Sequence, residues 1–109
     1  MRITDIPFSI TNWPDIARLE YPGETGIAYW QTQQFGSLRL RMVEYSKNYL
    51  ADHWCNKGHI LLVLEGKLSM ETPNDGSVDL KPYQSWQVAD DTKAHRVVTE
   101  GGAKVFIVD

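Results

Sequence analysis

The chain has 109 residues, a formal net charge of -3 and 23% charged residues, which is the size and composition of one soluble globular domain. The slightly acidic balance, without a clustered basic face, argues against nucleic acid as a partner. No apolar run is long enough to cross a membrane, and the first residues lack the apolar stretch of a signal peptide. A single cysteine cannot form an internal disulfide, so we expect a cytoplasmic protein.

Residues 1–25 are predicted to form an N-terminal arm. The turn signals Trp13-Pro14 and Tyr21-Pro22-Gly23 interrupt this part and favour an irregular path. One short helical turn is expected within residues 11–19, with Thr11 or Asn12 as its cap.

Residues 26–109 are predicted to form a β-barrel. Segments rich in β-branched and aromatic residues recur at short intervals, and Pro73-Asn74-Asp75-Gly76 is typical of a hairpin turn. A strand carrying His53 and Cys55 is expected as well. The other predicted strands cover residues 27–33, 37–45, 60–64, 67–72, 77–81, 85–89, 95–99 and 105–108. Many short strands without a convincing helix predict an all-β barrel or sandwich.

The alternation of residues 37–45 predicts which side chains face the core. Leu38, Leu40 and Met42 are expected to point inward, because every second residue of a strand shares a face. Glu44 then points inward too, as an acceptor behind the site or a general base, although a solvated position near the strand end is equally compatible. Arg39 and Arg41 are expected on the opposite, outer face of this strand. They would face a ligand only if the alternation is inverted, so that the arginines and not the leucines point inward.

Two aromatic residues are candidates for a pocket wall. Trp86 shares a face with Val88 on a strand near His95, and Tyr29 shares one with Ile27. Packing in the core is the commoner role for such side chains.

Two strands are apolar at every position, residues 60–64 and 105–108. A strand of this kind is covered on both faces. The arm can supply part of the outer cover, and a second subunit commonly supplies the rest. We therefore expect a homodimer.

All three histidines and the only cysteine form one spaced set, namely His53, Cys55, His59 and His95. Imidazole and thiolate bind zinc, iron, nickel or copper. His53 and Cys55 would share one face of their strand, and a turn would place His59 beside Cys55. Taken singly, each residue is as easily a hydrogen-bonded histidine or an inert buried thiol. Taken together, they predict a site for a divalent transition metal.

The same residues resemble the first motif of the cupins. His53 takes the place of the first motif histidine, Cys55 that of the second, and His59 that of the glutamate. Gly66 takes the closing glycine, and His95 takes the histidine of the second motif. The chain departs from the common pattern in that cysteine replaces a histidine and histidine replaces a glutamate, which softens the ligand set.

A closer resemblance is to the small DHCW-motif cupins, through Asp52-His53-Trp54-Cys55 and the following Lys57-Gly58-His59. The resemblance implies a single-domain conical β-barrel, also described as a double-stranded β-helix or jelly roll, with a metal held inside. It also implies a small-molecule ligand of unknown identity, and it leaves open whether the protein is an enzyme.

Two alternative functions fit the sequence. In one, the metal is fully coordinated and stabilises a non-catalytic binding or sensor module. In the other, Cys55 is a nucleophile with one of the histidines as its base, which predicts a thiol that alkylates easily without metal.

Overall fold

The computed structural model describes residues 2–109 and is built almost entirely from β-strands. It contains one short 3₁₀ helix, Trp13–Asp15, and no helix among residues 2–109 has the length and apolar character needed to cross a membrane. The strands are β1 (Leu19–Pro22), β2 (Ile27–Phe35), β3 (Leu38–Tyr45), β4 (Tyr49–Leu50), β5 (His59–Gly66), β6 (Leu68–Glu71), β7 (Ser77–Leu80), β8 (Ser85–Val88), β9 (Arg96–Thr99) and β10 (Ala103–Val108).

The strands form two antiparallel sheets. The larger has the order β1-β2-β3-β10-β5-β8, and the smaller has the order β4-β9-β6-β7. Strands distant in sequence lie side by side, as when β10 pairs with both β3 and β5. The inner faces of the two sheets bury a common core, which is the jelly-roll arrangement. The predicted all-β fold is confirmed.

The core is aliphatic and lies between the sheets. Its largest fully buried side chains are Leu61, Leu68, Val43, Val63 and Val105. Each alternates along its strand with a more exposed neighbour, so that one face of the strand is packed against the core. Burial of side chains of this size stabilises the fold by roughly 1.5–3 kcal/mol each.

The hairpin predicted at residues 73–76 is confirmed between β6 and β7. The amide of Thr72 donates to the carbonyl of Gly76 at 2.8 Å. Gly76 has a φ of +77°, a conformation that glycine adopts without the strain that a Cβ would add.

The alternation predicted for β3 is wrong by one residue. Arg41, Val43 and Tyr45 are buried, whereas Leu40 and Met42 are only half-buried on the outer face. The prediction was wrong because it assumed that the polar residues of β3 face solvent, whereas its arginines face inward. Arg41 pairs with a carboxylate and stacks on an aromatic ring, which together offset part of the cost of burying its charge.

Within this chain, residues 60–64 are fully covered on one face only. Leu61 and Val63 are buried, but Ile60 is 46% exposed. In register, Leu40, Val108 and Ile60 form one outer row, and Met42, Phe106 and Leu62 form the next. These six side chains make an apolar outer face on the larger sheet.

The chain before β2 crosses this outer face. Gln31 on β2 donates from its side-chain amide to the carbonyls of Trp13 and Ile16, at 2.8 and 3.0 Å. The Trp13 ring packs edge-on against Phe106 with ring centroids 6.1 Å apart. Residues Leu19–Pro22, within the segment predicted as an arm, pair with β2 and extend the larger sheet.

Candidate metal centre

The segment that carries Cys55 is not the strand that the sequence predicted. Residues 51–58 contain bends and a single β-bridge, in which Cys55 pairs with His95. The amide of Cys55 donates to the carbonyl of His95 at 2.8 Å, and the amide of His95 donates back at 3.0 Å. Directly opposed residues of such a pair place their side chains on the same side. The bridge therefore brings the thiol and the imidazole together, although 39 residues separate them in sequence.

His59 reaches the same point from the other sheet. It begins β5 and shares the inner face with Leu61 and Val63. The preceding Gly58 allows a close approach of the β8–β9 connection, since a Cβ there would lie 2.8 Å from both the Asp90 nitrogen and the Val88 oxygen. The Gly58 amide donates to the Asp90 carboxylate. This packing fixes where β5 begins and thus where His59 points.

The ligand atoms of Cys55, His59 and His95 all lie within 4.8 Å of one another. Cys55 Sγ and His59 Nε2 are 3.5 Å apart. The two imidazole rings meet edge to face with centroids 5.3 Å apart. In a tetrahedral zinc site, bond lengths of about 2.3 Å to sulfur and about 2.05 Å to nitrogen put these atoms about 3.6 Å apart. The sulfur–nitrogen separation therefore matches a shared ion.

The outer nitrogens of both clustered histidines are occupied. His95 Nδ1 lies 2.8 Å from the Lys93 carbonyl, which can only accept, so Nδ1 carries the proton. His59 Nδ1 lies 2.7 Å from Asp109 Oδ2, and the carboxylate likewise accepts. These contacts leave the second nitrogen of each ring, Nε2, for the cluster, and His59 Nε2 faces Cys55 Sγ. This arrangement of an acceptor behind each imidazole is typical of metal-binding histidines.

His95 provides the most direct indication of a missing partner. Its Nε2 is buried, and no hydrogen-bond partner for it exists among residues 2–109. Burial lowers the pKa of His95, with the neighbouring His59 acting in the same direction, and a neutral imidazole is the form that coordinates a metal. A buried nitrogen without a partner is costly, which a bound ion would remedy.

Asp109 is the residue that sequence reasoning missed. Besides His59, its carboxylate accepts from Arg39 Nε at 2.8 Å and from Arg41 Nη2 at 2.7 Å. Burial alone would raise the pKa of Asp109, but the hydrogen bonds from His59 and Arg39 and the charges of both arginines hold it well below its usual range. The carboxylate is therefore ionised and holds the His59 ring in one orientation.

A signal for Asp109 was present in the sequence. Val105 and Ile107 alternate on the inner face of β10, and Asp109 continues that alternation. An acidic side chain in phase with a core face requires a buried cation, and the correct phase of β3 supplies Arg39 and Arg41 opposite it.

His53 is not brought into the cluster. Its side chain is 74% exposed, and its Nδ1 lies 2.7 Å from the Asp52 carboxylate. The predicted shared face of His53 and Cys55 required a regular strand, which the bends at residues 52 and 53 replace. The neighbouring Trp54 packs beneath the guanidinium of Arg96 at 4.3 Å.

The three pocket candidates lie in different environments. Glu44 points outward, pairs with Arg18 at 3.4 Å and has a side chain 55% exposed, which is the solvated one of the two positions that the sequence allowed. Tyr29 stacks against the same arginine at 4.2 Å on that outer surface. Trp86 faces inward, with its ring centroid 4.7 Å from that of His95.

Known structures of the same fold identify its class. A polyketide cyclase from Streptomyces resistomycificus superposes with a TM-score of 0.74 at 18% identity, covering 94% of this chain and 78% of its own. Ectoine synthase from P. lautus gives a TM-score of 0.74 at 11% identity, with coverage of 93% and 76%. A cupin-superfamily sugar phosphate isomerase from Silicibacter pomeroyi gives 0.72 at 15%, with coverage of 92% and 74%.

Neither a protein-family model nor a curated protein sequence matches the chain. The fold is that of a small cupin, a β-barrel of the jelly-roll type. Its interior carries a Cys/His/His cluster of a kind that could hold a metal ion.

Proposed function

We propose that the protein binds one divalent transition metal ion through Cys55, His59 and His95 and binds a small molecule beside it. The observation that carries this proposal is the buried Nε2 of His95, which has no hydrogen-bond partner within residues 2–109 and lies in the same cluster as the Cys55 thiol and His59 Nε2. A thiolate and two imidazoles favour zinc, iron, nickel or copper over the harder ions.

Three protein donors leave a fourth position on a tetrahedral ion, which a water or a small molecule would take. When bound, such an ion supplies Lewis acidity to the group in that position. The chain's own contribution is orientation: Asp109 and the Lys93 carbonyl fix the two rings, and the Lys57 amide donates to Cys55 Sγ at 3.4 Å. The amide stabilises negative charge on the sulfur.

Metal content tests the proposal. Protein purified without an affinity tag is analysed by elemental mass spectrometry, beside a His59→Ala, His95→Ala double variant and a His53→Ala control. We expect about one equivalent of metal in the parent and the control and none in the double variant. The absence of metal from all three, with none taken up from chelator-buffered solutions, would remove the proposal. Loss of metal in the control would add His53 to the ligand set.

A second candidate function uses the same residues without metal. Cys55 Sγ, His59 Nε2 and Asp109 form a relay, with separations of 3.5 Å from sulfur to nitrogen and 2.7 Å from Nδ1 to the carboxylate. A thiol, a base and a group that orients the base are the parts of a cysteine nucleophile. The sequence revealed no orienting group, and Asp109 supplies one.

Alkylation separates the two candidates. Iodoacetamide is added to chelator-treated protein and to zinc-loaded protein, for the parent and for Asp109→Asn. A metal ligand is protected by zinc and reacts at a similar rate in both chelated proteins. A nucleophile reacts about tenfold more slowly in chelated Asp109→Asn than in the parent.

We also propose that the protein is a homodimer. The side chains of Phe8 and Ile10, in the arm, are exposed over essentially their whole surface. They lie a few residues before Trp13, which packs on Phe106 of the apolar outer face, while Ile60 of the same face is 46% exposed. In a symmetric dimer, the exposed arm residues of each copy would cover the apolar outer face of the other copy. Each chain offers both of these apolar surfaces, so one contact would bury both.

Light scattering coupled to size-exclusion chromatography tests the dimer. The parent is expected to elute at twice the chain mass at micromolar concentration, and a Phe8→Asp, Ile10→Asp variant at the chain mass. A parent that is monomeric, or a variant that remains dimeric, would contradict this arrangement.

Two assignments complete the proposal. The reduced Cys55 that the site needs is compatible with a cytoplasmic protein. The run Asp52-His53-Trp54-Cys55 supports placing the chain among the DHCW-motif cupins.

A further inference from the structure

The two sheets are not joined along one side of the barrel. In the described chain, β7 is an edge of the smaller sheet and β8 is an edge of the larger one, and no hydrogen-bonded ladder connects them. Val78 on β7 shares the inner face with Leu80, which is 7% exposed, yet Val78 is 52% exposed. An inward-facing valine with that exposure shows that the barrel interior is open at this side.

A cavity of about 350 Å³ occupies the opening, and we name it the side chamber. Its inward-facing lining is apolar, and His95 lies in its wall. The apolar lining residues are Met70, Val78, Trp86 and Val88. The Trp86 ring stands edge-on to the His95 ring, with centroids 4.7 Å apart. The side chamber therefore has an aromatic side chain in its wall directly beside His95, one of the three residues of the Cys/His/His cluster.

We propose that the side chamber binds a flat aromatic molecule that carries an oxygen or nitrogen donor. The ring lies against Trp86 between Val78 and Val88, and the donor points past His95 towards the cluster. An aromatic ring suits this wall because stacked and edge-to-face pairs add to the gain from burying apolar area. The ring site stands by itself, whereas the role of the donor rests on the metal binding proposed above.

An ion pair spans the mouth of the side chamber. Lys93, from the β8–β9 connection, lies 2.8 Å from Asp75, in the β6–β7 turn. Their side chains are 51% and 62% exposed, so water screens the pair and it opens at little cost. The pair lies across one part of the opening and does not prevent a molecule from entering the side chamber.

NMR titration tests the side chamber with three probes of the same charge. The probes are 2-naphthoate, its saturated counterpart decahydronaphthalene-2-carboxylate, and acetate. We expect 2-naphthoate to shift the Trp86 indole N–H and the Val78 and Val88 methyl signals, and to bind about tenfold more tightly than the saturated counterpart. Acetate is expected to shift none of these signals.

Variants locate the binding. Val78→Trp fills the mouth of the side chamber and is expected to weaken 2-naphthoate binding by about tenfold or more. Leu19→Trp is the matched control, because Leu19 is 55% exposed on the opposite edge strand. Trp86→Leu keeps an apolar wall, and it is expected to abolish the preference for the aromatic probe over the saturated one. Unchanged thermal transitions verify the folding of each variant.

Three results would overturn the inference. They are equal binding of the aromatic and saturated probes, acetate shifts at the same residues, and 2-naphthoate shifts confined to other parts of the chain. Titrations in chelator-treated and zinc-loaded protein separate this inference from the metal proposal. A protein that binds 2-naphthoate but no zinc refutes only the metal site, and one that binds zinc but no 2-naphthoate refutes only the side chamber.

Discussion

Two histidine–aspartate pairs of this protein have the same contact and opposite surroundings. At the bend before Cys55, His53 Nδ1 lies 2.7 Å from Asp52, and the histidine side chain is 74% exposed. At the start of β5, His59 Nδ1 lies 2.7 Å from Asp109, and the side chain is 13% exposed. Only the second pair directs its free nitrogen at other donors. A hydrogen bond to a carboxylate therefore does not by itself mark a candidate metal ligand; burial and convergence with other donors separate the two pairs.

The largest expected difference between the two pairs is in stability. Asp109→Ala leaves Arg41, whose side chain is 5% exposed, without its carboxylate. We expect the free energy of unfolding to fall by about 3–5 kcal/mol, because an unpaired buried charge is strongly unfavourable. Asp52→Ala is expected to change it by about 0.5 kcal/mol or less. Urea denaturation of chelator-treated protein measures both, and equal effects would remove the contrast.

A substitution at Gly58 tests the backbone packing that positions His59, the histidine of the buried pair. Gly58→Ala places a Cβ 2.8 Å from backbone atoms of both Val88 and Asp90, neither of which can rotate away. We expect a loss of about 1–3 kcal/mol, as for other overpacked sites. Gly101→Ala is the control, since no heavy atom of residues 2–109, apart from its own chain neighbours, lies within 4 Å of its Cβ position. Thermal unfolding of the two variants distinguishes crowding from loss of chain flexibility, and a Gly58→Ala variant as stable as the control would contradict the predicted packing.

The effect of Asp109→Asn on metal affinity is expected to be smaller in free energy than the stability loss of Asp109→Ala, but more specific to the site. Asp109→Asn keeps the shape of the group behind His59 and removes its charge. We expect the zinc dissociation constant to rise by about 10–100-fold, the usual cost of changing the acceptor behind a metal-binding histidine. Competition with a chromogenic chelator measures the constant. An equal change in Asp52→Asn would show that the exposed pair takes part in binding.

The smallest expected effect is that of removing the exposed histidine itself. His53→Ala loses only a solvated contact, so the free energy of unfolding is expected to stay within about 0.5 kcal/mol of the parent. Urea denaturation, again without metal, provides the measurement. A loss of more than about 1 kcal/mol would indicate that the bend at residues 52 and 53 supports the Cys55–His95 bridge.

The sequence predicted the strands better than their faces. The hairpin at residues 73–76 and the strand that begins at His59 follow from turn chemistry and apolar runs, which are local. The phase of β3 is not local: its inward arginines are tolerated only because Asp109, far away in sequence, lies opposite. A pattern of alternating polarity therefore assigned the wrong face to the whole strand.

The site was predicted by residue type and misjudged by geometry. Cys55, His59 and His95 converge as expected, although Cys55 is held by one bridge and not by a strand. His53 was included because spacing of two residues implies a shared face, which holds only in regular strands. The bend at Asp52 depends on contacts with residues distant in sequence, which the local sequence does not reveal.

The distribution of the three donors between the sheets has a mechanical consequence. His59 belongs to the larger sheet, whereas His95 directly precedes β9 of the smaller sheet and carries Cys55 with it. An ion bound by all three would act as a cross-link between the two halves of the sandwich. At a free concentration a thousandfold above its dissociation constant, it would add about 4.1 kcal/mol to the resistance against unfolding. Amide hydrogen exchange in both sheets would then slow together when the ion is added.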